Sequence, residues 1–291
     1  MSARPTGLLA RRTLLSLLGK SAVGGAVASA AALASARRAL AAPPGDPFGG
    51  GNLGFRDPFA SGDRAGAEAM QIDLPQLQYA GRWNPRADAM RELGRELRLR
   101  TRLEPVREPS VVTATDPALF DTPFLYVAGD GGLPPFAPAA EQALRRFVDL
   151  GGMLVFDAAD GGTDPRFRND VAALLARLFP GSELSRVGEQ HVLYRSFYII
   201  PRPLGRTDAV DHLLGIQEEG RLKVLLIPID LGGALSRGAD GLPTHSCTPG
   251  GPVQREWARR LGINILLYAT CTDYKSDRAH VETLEGNRRW R

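Results

Sequence analysis

Residues 124–130 read Phe-Leu-Tyr-Val-Ala-Gly-Asp, and residues 153–157 read Met-Leu-Val-Phe-Asp. Both runs are apolar at successive positions, so a strand built from either is apolar on both faces. Strands of a parallel sheet covered by helices on each side read this way. Between them, Leu144, Phe147 and Val148 fall on one face of a helix over Ala139–Leu150, and Gly151-Gly152 supplies its stop. Strand, helix and strand in that order, with short glycine turns, predict an α/β fold: a three-layer, mostly parallel sheet flanked by helices.

Working outward, the same alternation continues in both directions. Leu77–Tyr79 is a first strand, and Asn84-Pro85 reads as a cap with proline at the first helical position. Met90, Leu93 and Leu97 follow at helical spacing as far as about Arg100, and Trp83 is expected to pack over this helix. A second strand lies in Arg102–Val106 or in Val111–Val112, and Asp116–Phe120 is a single capped turn. Downstream, a helix spans Arg166–Phe179 and the stretch Leu184–Pro203 is irregular. A hairpin turning at Glu219-Gly220 leads into Leu222–Asp230, and a long helix from Val253 to about Thr270 closes the domain.

The ends of the chain have a different composition. Arg11-Arg12 followed by Thr13-Leu14-Leu15-Ser16 and an Ala/Gly/Leu stretch resembles a twin-arginine export signal. The stretch to Ala36 is broken by Lys20 and is less apolar than the roughly 20 strongly apolar residues of a membrane span. The resemblance implies export through the twin-arginine translocase to the periplasm or beyond, with no permanent membrane anchor. Cleavage is expected after Ala41, with Ala36 the alternative. Residues 1–41 are thus read as signal peptide, 42–69 as a Gly/Pro-rich disordered linker, 70–280 as one domain and 281–291 as a flexible tail. In the linker, Phe48, Phe55 and Phe59 are sticky points for a partner, but the segment buries too little apolar surface to fold.

The formal charge of +4 is mainly a property of this leader. Six of the 36 basic residues (Arg4, Arg11, Arg12, Lys20, Arg37, Arg38) and none of the 32 acidic ones precede Pro43, so the remainder is slightly acidic. Its arginines are interleaved with acids, which argues against nucleic-acid binding. The histidines, His191, His212, His245 and His280, are scattered and lack zinc-ligand spacing, so neither metal nor cofactor is expected. Cys247 and Cys271 are a candidate disulfide in an oxidising compartment; the alternative is a free Cys271 packed as a small hydrophobe.

Several segments together resemble the domain of unknown function family 4159. They include Leu77–Pro85, Asp116–Phe120, Pro123–Tyr126, Gly151–Asp157, Tyr194–Tyr198, Asp230-Leu231 and Arg260–Asn264, and they run in order from about 75 to 280. The resemblance implies a flavodoxin-like, class I glutamine amidotransferase-like fold, with cell-envelope proteins as partners. In enzymes of that type a sharp turn after a strand carries a nucleophilic cysteine. Here the turn expected to correspond reads Phe156-Asp157-Ala158-Ala159-Asp160-Gly161, without Cys or Ser, and with Ala158 where the family commonly has a second acid.

Acids at strand ends remain. Asp130, Asp157 and Asp160 either converge on one crevice at the C-terminal ends of adjacent strands, where open α/β sheets bind ligands, or each caps its own turn. His191 and Arg195, with Tyr194, Ser196 and Tyr198, either line that crevice or pack. Arg255, Glu256, Arg259 and Arg260 either bind an anion or form a solvated helix face, and Gly250-Gly251 offers backbone amides before that helix. The expected function is an exported ligand- or partner-binding module. The alternative is a carboxylate-dependent hydrolase of an envelope glycan working through Asp157 and Asp160.

Overall fold

The computed structural model describes residues 71–270. The segments expected to be export signal, linker and tail lie outside the described residues, as does Cys271.

Within them the chain forms a seven-stranded sheet in the order β2-β1-β3-β4-β7-β6-β5. Its strands are β1 (Gln76–Leu77), β2 (Val111–Val112), β3 (Phe124–Gly129), β4 (Met153–Ala158), β5 (Ser185–Arg186), β6 (Leu214–Glu218) and β7 (Arg221–Ile227). β2, β1, β3, β4 and β7 run parallel, while β6 and β5 extend one edge antiparallel. The helices are α1 (Ala89–Arg100), α2 (Pro138–Asp149), α3 (Arg166–Leu178), α4 (Leu231–Leu235) and α5 (Gly251–Thr270).

Strand pleat sorts the two apolar faces. Phe124, Tyr126, Val155, Leu225 and Ile227 join Leu93, Leu97, Leu261 and Ile265 of α1 and α5 in one core. Leu125, Val127, Leu154 and Phe156 join Leu144, Phe147, Val171 and Leu174 of α2 and α3 in the other. The result is the three-layer α/β arrangement expected of runs apolar on both faces. Each fully buried leucine in these layers contributes about 1.5–3 kcal/mol. Two helices on the first face are also joined by charge: Arg100 grips Glu256 with two bonds of 2.6 and 2.8 Å, which holds the Glu256 carboxyl down at about 2.

Several boundaries differ from the sequence reading for identifiable reasons. Helix α1 starts at Ala89, because the Asn84 side chain is engaged by Gln76 at 3.1 Å instead of capping the helix. The second strand is Val111–Val112; the other candidate segment contributes only an isolated bridge, Ile72 to Pro105. Trp83 packs against the α2/α3 core, not over α1. Asp116 does cap its turn, accepting from the Ala118 N–H at 2.9 Å, and Glu219 and Gly220 form the hairpin with positive φ. Helix α4, directly after β7, was absent from the sequence reading.

Candidate functional site

Two carboxylates occupy the C-terminal ends of the central strands β4 and β7. Asp157 lies in β4, in register with Ala128 and Ile227, and is 0% exposed. Three donors bond it: the Tyr126 hydroxyl at 2.6 Å and the Gly232 N–H at 2.6 Å on Oδ2, and the Leu231 N–H at 3.0 Å on Oδ1. Burial and the neighbouring Asp230 charge push its pKa up to about 7, against the pull of these three bonds. Burial and the Asp157 charge likewise hold the Tyr126 hydroxyl protonated.

Asp230 sits at a sharp turn between β7 and α4. Its backbone is left-handed, at φ 52° and ψ 65°, a conformation that aspartate tolerates better than most residues, and its Oδ1 bonds the Gly233 N–H at 2.8 Å. The turn is tight enough that Gly232 has no room for a side chain. A Cβ there would lie 2.6 Å from the Tyr126 hydroxyl and 3.1 Å from Asp157 Oδ2. Asp230 is also 0% exposed, and two guanidiniums neutralise it. Arg86 is bidentate, with Nε to Oδ1 at 3.0 Å and Nη2 to Oδ2 at 2.6 Å, while Arg206 Nε also donates to Oδ2. Unpaired, either charge would be costly to bury; forked, charge-assisted bonds offset that.

Arg86 draws further elements together. Its Nη2 donates to the Ala159 carbonyl at 2.8 Å, and its Nη1 faces His245 Nε2 at 3.1 Å. Burial opposes the Arg86 charge, but the Asp230 bond and the charges of Asp230 and Asp157 hold its pKa above the usual range. Burial and the adjacent Arg86 push His245 down, so the ring is neutral at pH 7. A neutral ring facing a guanidinium accepts at Nε2 and carries its proton on Nδ1. Behind it, Arg255 donates to the carbonyls of His245 and Ala234, tying the 245 loop to α4. Buried Gln254 ties the Gly205 and Thr248 carbonyls together at 2.8 and 3.0 Å.

A family model described as a domain of unknown function, DUF4159, matches residues 73–270. The chain belongs to that family. Every member of the strand-end cluster lies within the matched segment of this DUF4159 domain. No curated protein matches the chain.

The acids expected to converge are held apart in their bonding. Asp157 is a sealed strand residue, not a group in an open crevice, because β4 runs on to Ala158 and α4 closes over it. Asp160 caps its own loop, accepting from the Gly162 and Asp164 N–H groups at 2.9 and 2.8 Å. Asp130, just past the end of β3, pairs with exposed Arg82 from the segment after β1 at 2.5 Å. Among the described residues no three His, Cys, Asp or Glu side chains form a metal-holding group.

His191 caps a short 3-10 turn, its Nδ1 accepting from the Leu193 N–H at 3.0 Å. Its ring lies 5.4 Å from that of Tyr268, whose hydroxyl accepts from Leu222 at the start of β7, away from the Asp230 end. Arg195 bonds Gln190. A surface cavity of about 220 Å³ beside Arg186, Tyr194, Arg202 and His212 includes none of the cluster. On α5 the expected solvated face holds only for Arg260, paired with Glu256 at 2.9 Å; Arg259 is largely buried against Glu96 at 3.2 Å, and Arg255 is buried against backbone carbonyls. The Gly250 N–H is taken by Gln254 at 2.8 Å.

Sequence reasoning missed Asp230, Arg86, Arg206 and His245 as a group. One signal was present: an acid followed by Leu-Gly-Gly directly after a buried strand. A glycine turn with positive φ follows β4 as expected, and a second sharp turn, with Asp230 left-handed, leads from β7 straight into α4.

Proposed function

We propose that this DUF4159 domain is an exported binding module on a flavodoxin-like, class I glutamine amidotransferase-like scaffold, acting on a ligand or envelope partner without cysteine chemistry. The order β2-β1-β3-β4-β7 of the parallel strands supports the scaffold, since it follows the 2-1-3-4-5 sequence of flavodoxin-like sheets. The Arg11-Arg12 leader supports export, with the twin-arginine translocase as the first partner.

One observation carries the binding reading. At the sharp strand-to-helix turn, where an acyl-transfer enzyme presents an exposed nucleophile, this chain places an aspartate that is wholly buried and paired with two arginines. Cys247 is no substitute, for it is buried and its thiol is pushed up by that burial, away from the reactive thiolate. A carboxylate-dependent hydrolase is the second reading. Its candidate acid, Asp157, holds its proton to about pH 7, the range of a general acid, but is sealed beneath α4, which ranks this reading below the binding one.

Thermal unfolding of the full chain against soluble envelope components, with product analysis of each mixture, separates the two. The binding reading expects a saturable rise in Tm from at least one component and no turnover. Turnover that is abolished in an Asp157→Asn variant shown to be folded establishes the hydrolase instead.

A further inference from the structure

The strand-end cluster leaves specific donors unused. Arg206 commits Nε to Asp230, but its two terminal nitrogens have no acceptor among the described residues. The side chain is 23% exposed, and Nη2 lies over Gly161, where a Cβ would come within 2.7 Å of it. His245, half-buried, spends Nε2 on Arg86, so its Nδ1–H is the other uncommitted donor. Arg86 joins the two, because it shares Asp230 Oδ2 with Arg206 and contacts the His245 ring.

The loops that carry these groups are fixed. The Arg206 N–H donates to the Asp230 carbonyl at 3.0 Å, and the Thr207 hydroxyl donates to the Gly161 carbonyl at 2.8 Å. Arg255 holds the His245 carbonyl. A donor set prearranged in this way loses little entropy on meeting an acceptor.

The geometry points to a receptor for a carboxylate, formed by the terminal nitrogens of Arg206 and the Nδ1–H of His245 at the C-terminal ends of β4 and β7. It rests on the binding reading above and names the ligand's chemical class. Charge selects the class. Two guanidiniums face one Asp230 carboxylate, with His245 neutral and Asp157 shared between its two protonation states near pH 7. Arg255 behind His245 adds a third guanidinium, so the surplus is about one to two positive charges. A carboxylate on the Arg206 fork sets one negative charge against Asp230, whereas a phosphate dianion sets two. The planar guanidinium fork also matches two coplanar carboxylate oxygens.

The test follows the Arg206 Nε–H resonance of the full chain by NMR during titration with four probes. They are acetate, N-acetyl-alanyl-alanine, the same dipeptide as its C-terminal amide, and inorganic phosphate. A saturable shift with the free-acid dipeptide, absent with the amide and weaker with phosphate, is expected. If acetate behaves like the dipeptide, a bare carboxylate suffices; if it does not bind, the carboxylate is read as part of a longer chain.

Arg206→Lys keeps a charge against Asp230 but loses the fork, so it should fold with a Tm near wild type and weaken the dipeptide at least about tenfold. Equal binding of acid and amide, tighter binding of phosphate, or unchanged affinity in a folded Arg206→Lys overturns the proposal. So does a failure of both carboxylates. If an envelope component still raises Tm in that last case, the binding reading stands and only the carboxylate class falls; if none does, both fall.

Discussion

The Tyr126 hydroxyl donates to Oδ2 of Asp157 across 2.6 Å, from one parallel strand to the next, with both side chains sealed from solvent. This bond, with two backbone N–H groups of α4, makes Asp157 part of the core. Its proton affinity is therefore a property of folding.

A stability profile against pH follows. In the folded chain Asp157 holds its proton to about pH 7, whereas its ordinary value is 3.8. Between those values the folded state binds a proton that the unfolded state has released. The stability from this group is full below about pH 4 and is lost as pH rises through 7. Denaturant unfolding of wild type and Asp157→Asn should show wild type losing stability relative to the variant from pH 4 to 7. A difference that is flat with pH contradicts the assignment.

Asp230 and Asp160 should separate cleanly on substitution. Asp230→Asn leaves Arg86 and Arg206 facing a neutral group in a buried site, at a cost of about 3–5 kcal/mol. Asp160→Asn only weakens two loop bonds, at a cost of about 1 kcal/mol. Chemical denaturation of the two variants measures both, and equal losses would show that Asp230 is not the anchor of the cluster.

Gly232→Ala is expected to destabilise the domain, because its Cβ would press on the Tyr126 hydroxyl and on Asp157 Oδ2. Gly188→Ala is the control, since an added Cβ meets nothing within 4 Å there. Thermal melts should show a drop of several degrees for the first and little change for the second.

The layers of this fold were legible because Phe124–Ala128 and Met153–Phe156 are apolar at successive positions, a pattern that parallel strands between helices require. The site was less legible. Asp157 and Asp160 look alike in sequence, yet one lies in a strand beneath α4 and the other caps a loop. Arg86 directly follows the Asn84-Pro85 pair, and its 144-residue reach to Asp230 leaves no local periodicity. Arg206 and His245 come from irregular loops, where residue spacing carries no information about what meets in space. The short α4 was hidden because Leu-Gly-Gly-Ala-Leu has weak helix propensity, and its first amides are bonded by Asp157 and Asp230.

The leader makes a prediction of its own. Arg11→Lys combined with Arg12→Lys should leave the protein in the cytoplasm as precursor, whereas wild type should be recovered outside it, cleaved near Ala41. Cell fractionation with N-terminal sequencing measures this, and normal export of the double variant contradicts twin-arginine transport.

The central claim is that this domain binds at the mouth of the Asp230 cluster and does not turn its ligand over. Equilibrium dialysis of the full chain against a soluble envelope fraction, with mass spectrometry of both compartments, tests it most directly. The account predicts a component retained intact by wild type and by Cys247→Ala, and lost from folded Arg206→Lys. Conversion of that component to product, abolished by Asp157→Asn, would contradict it.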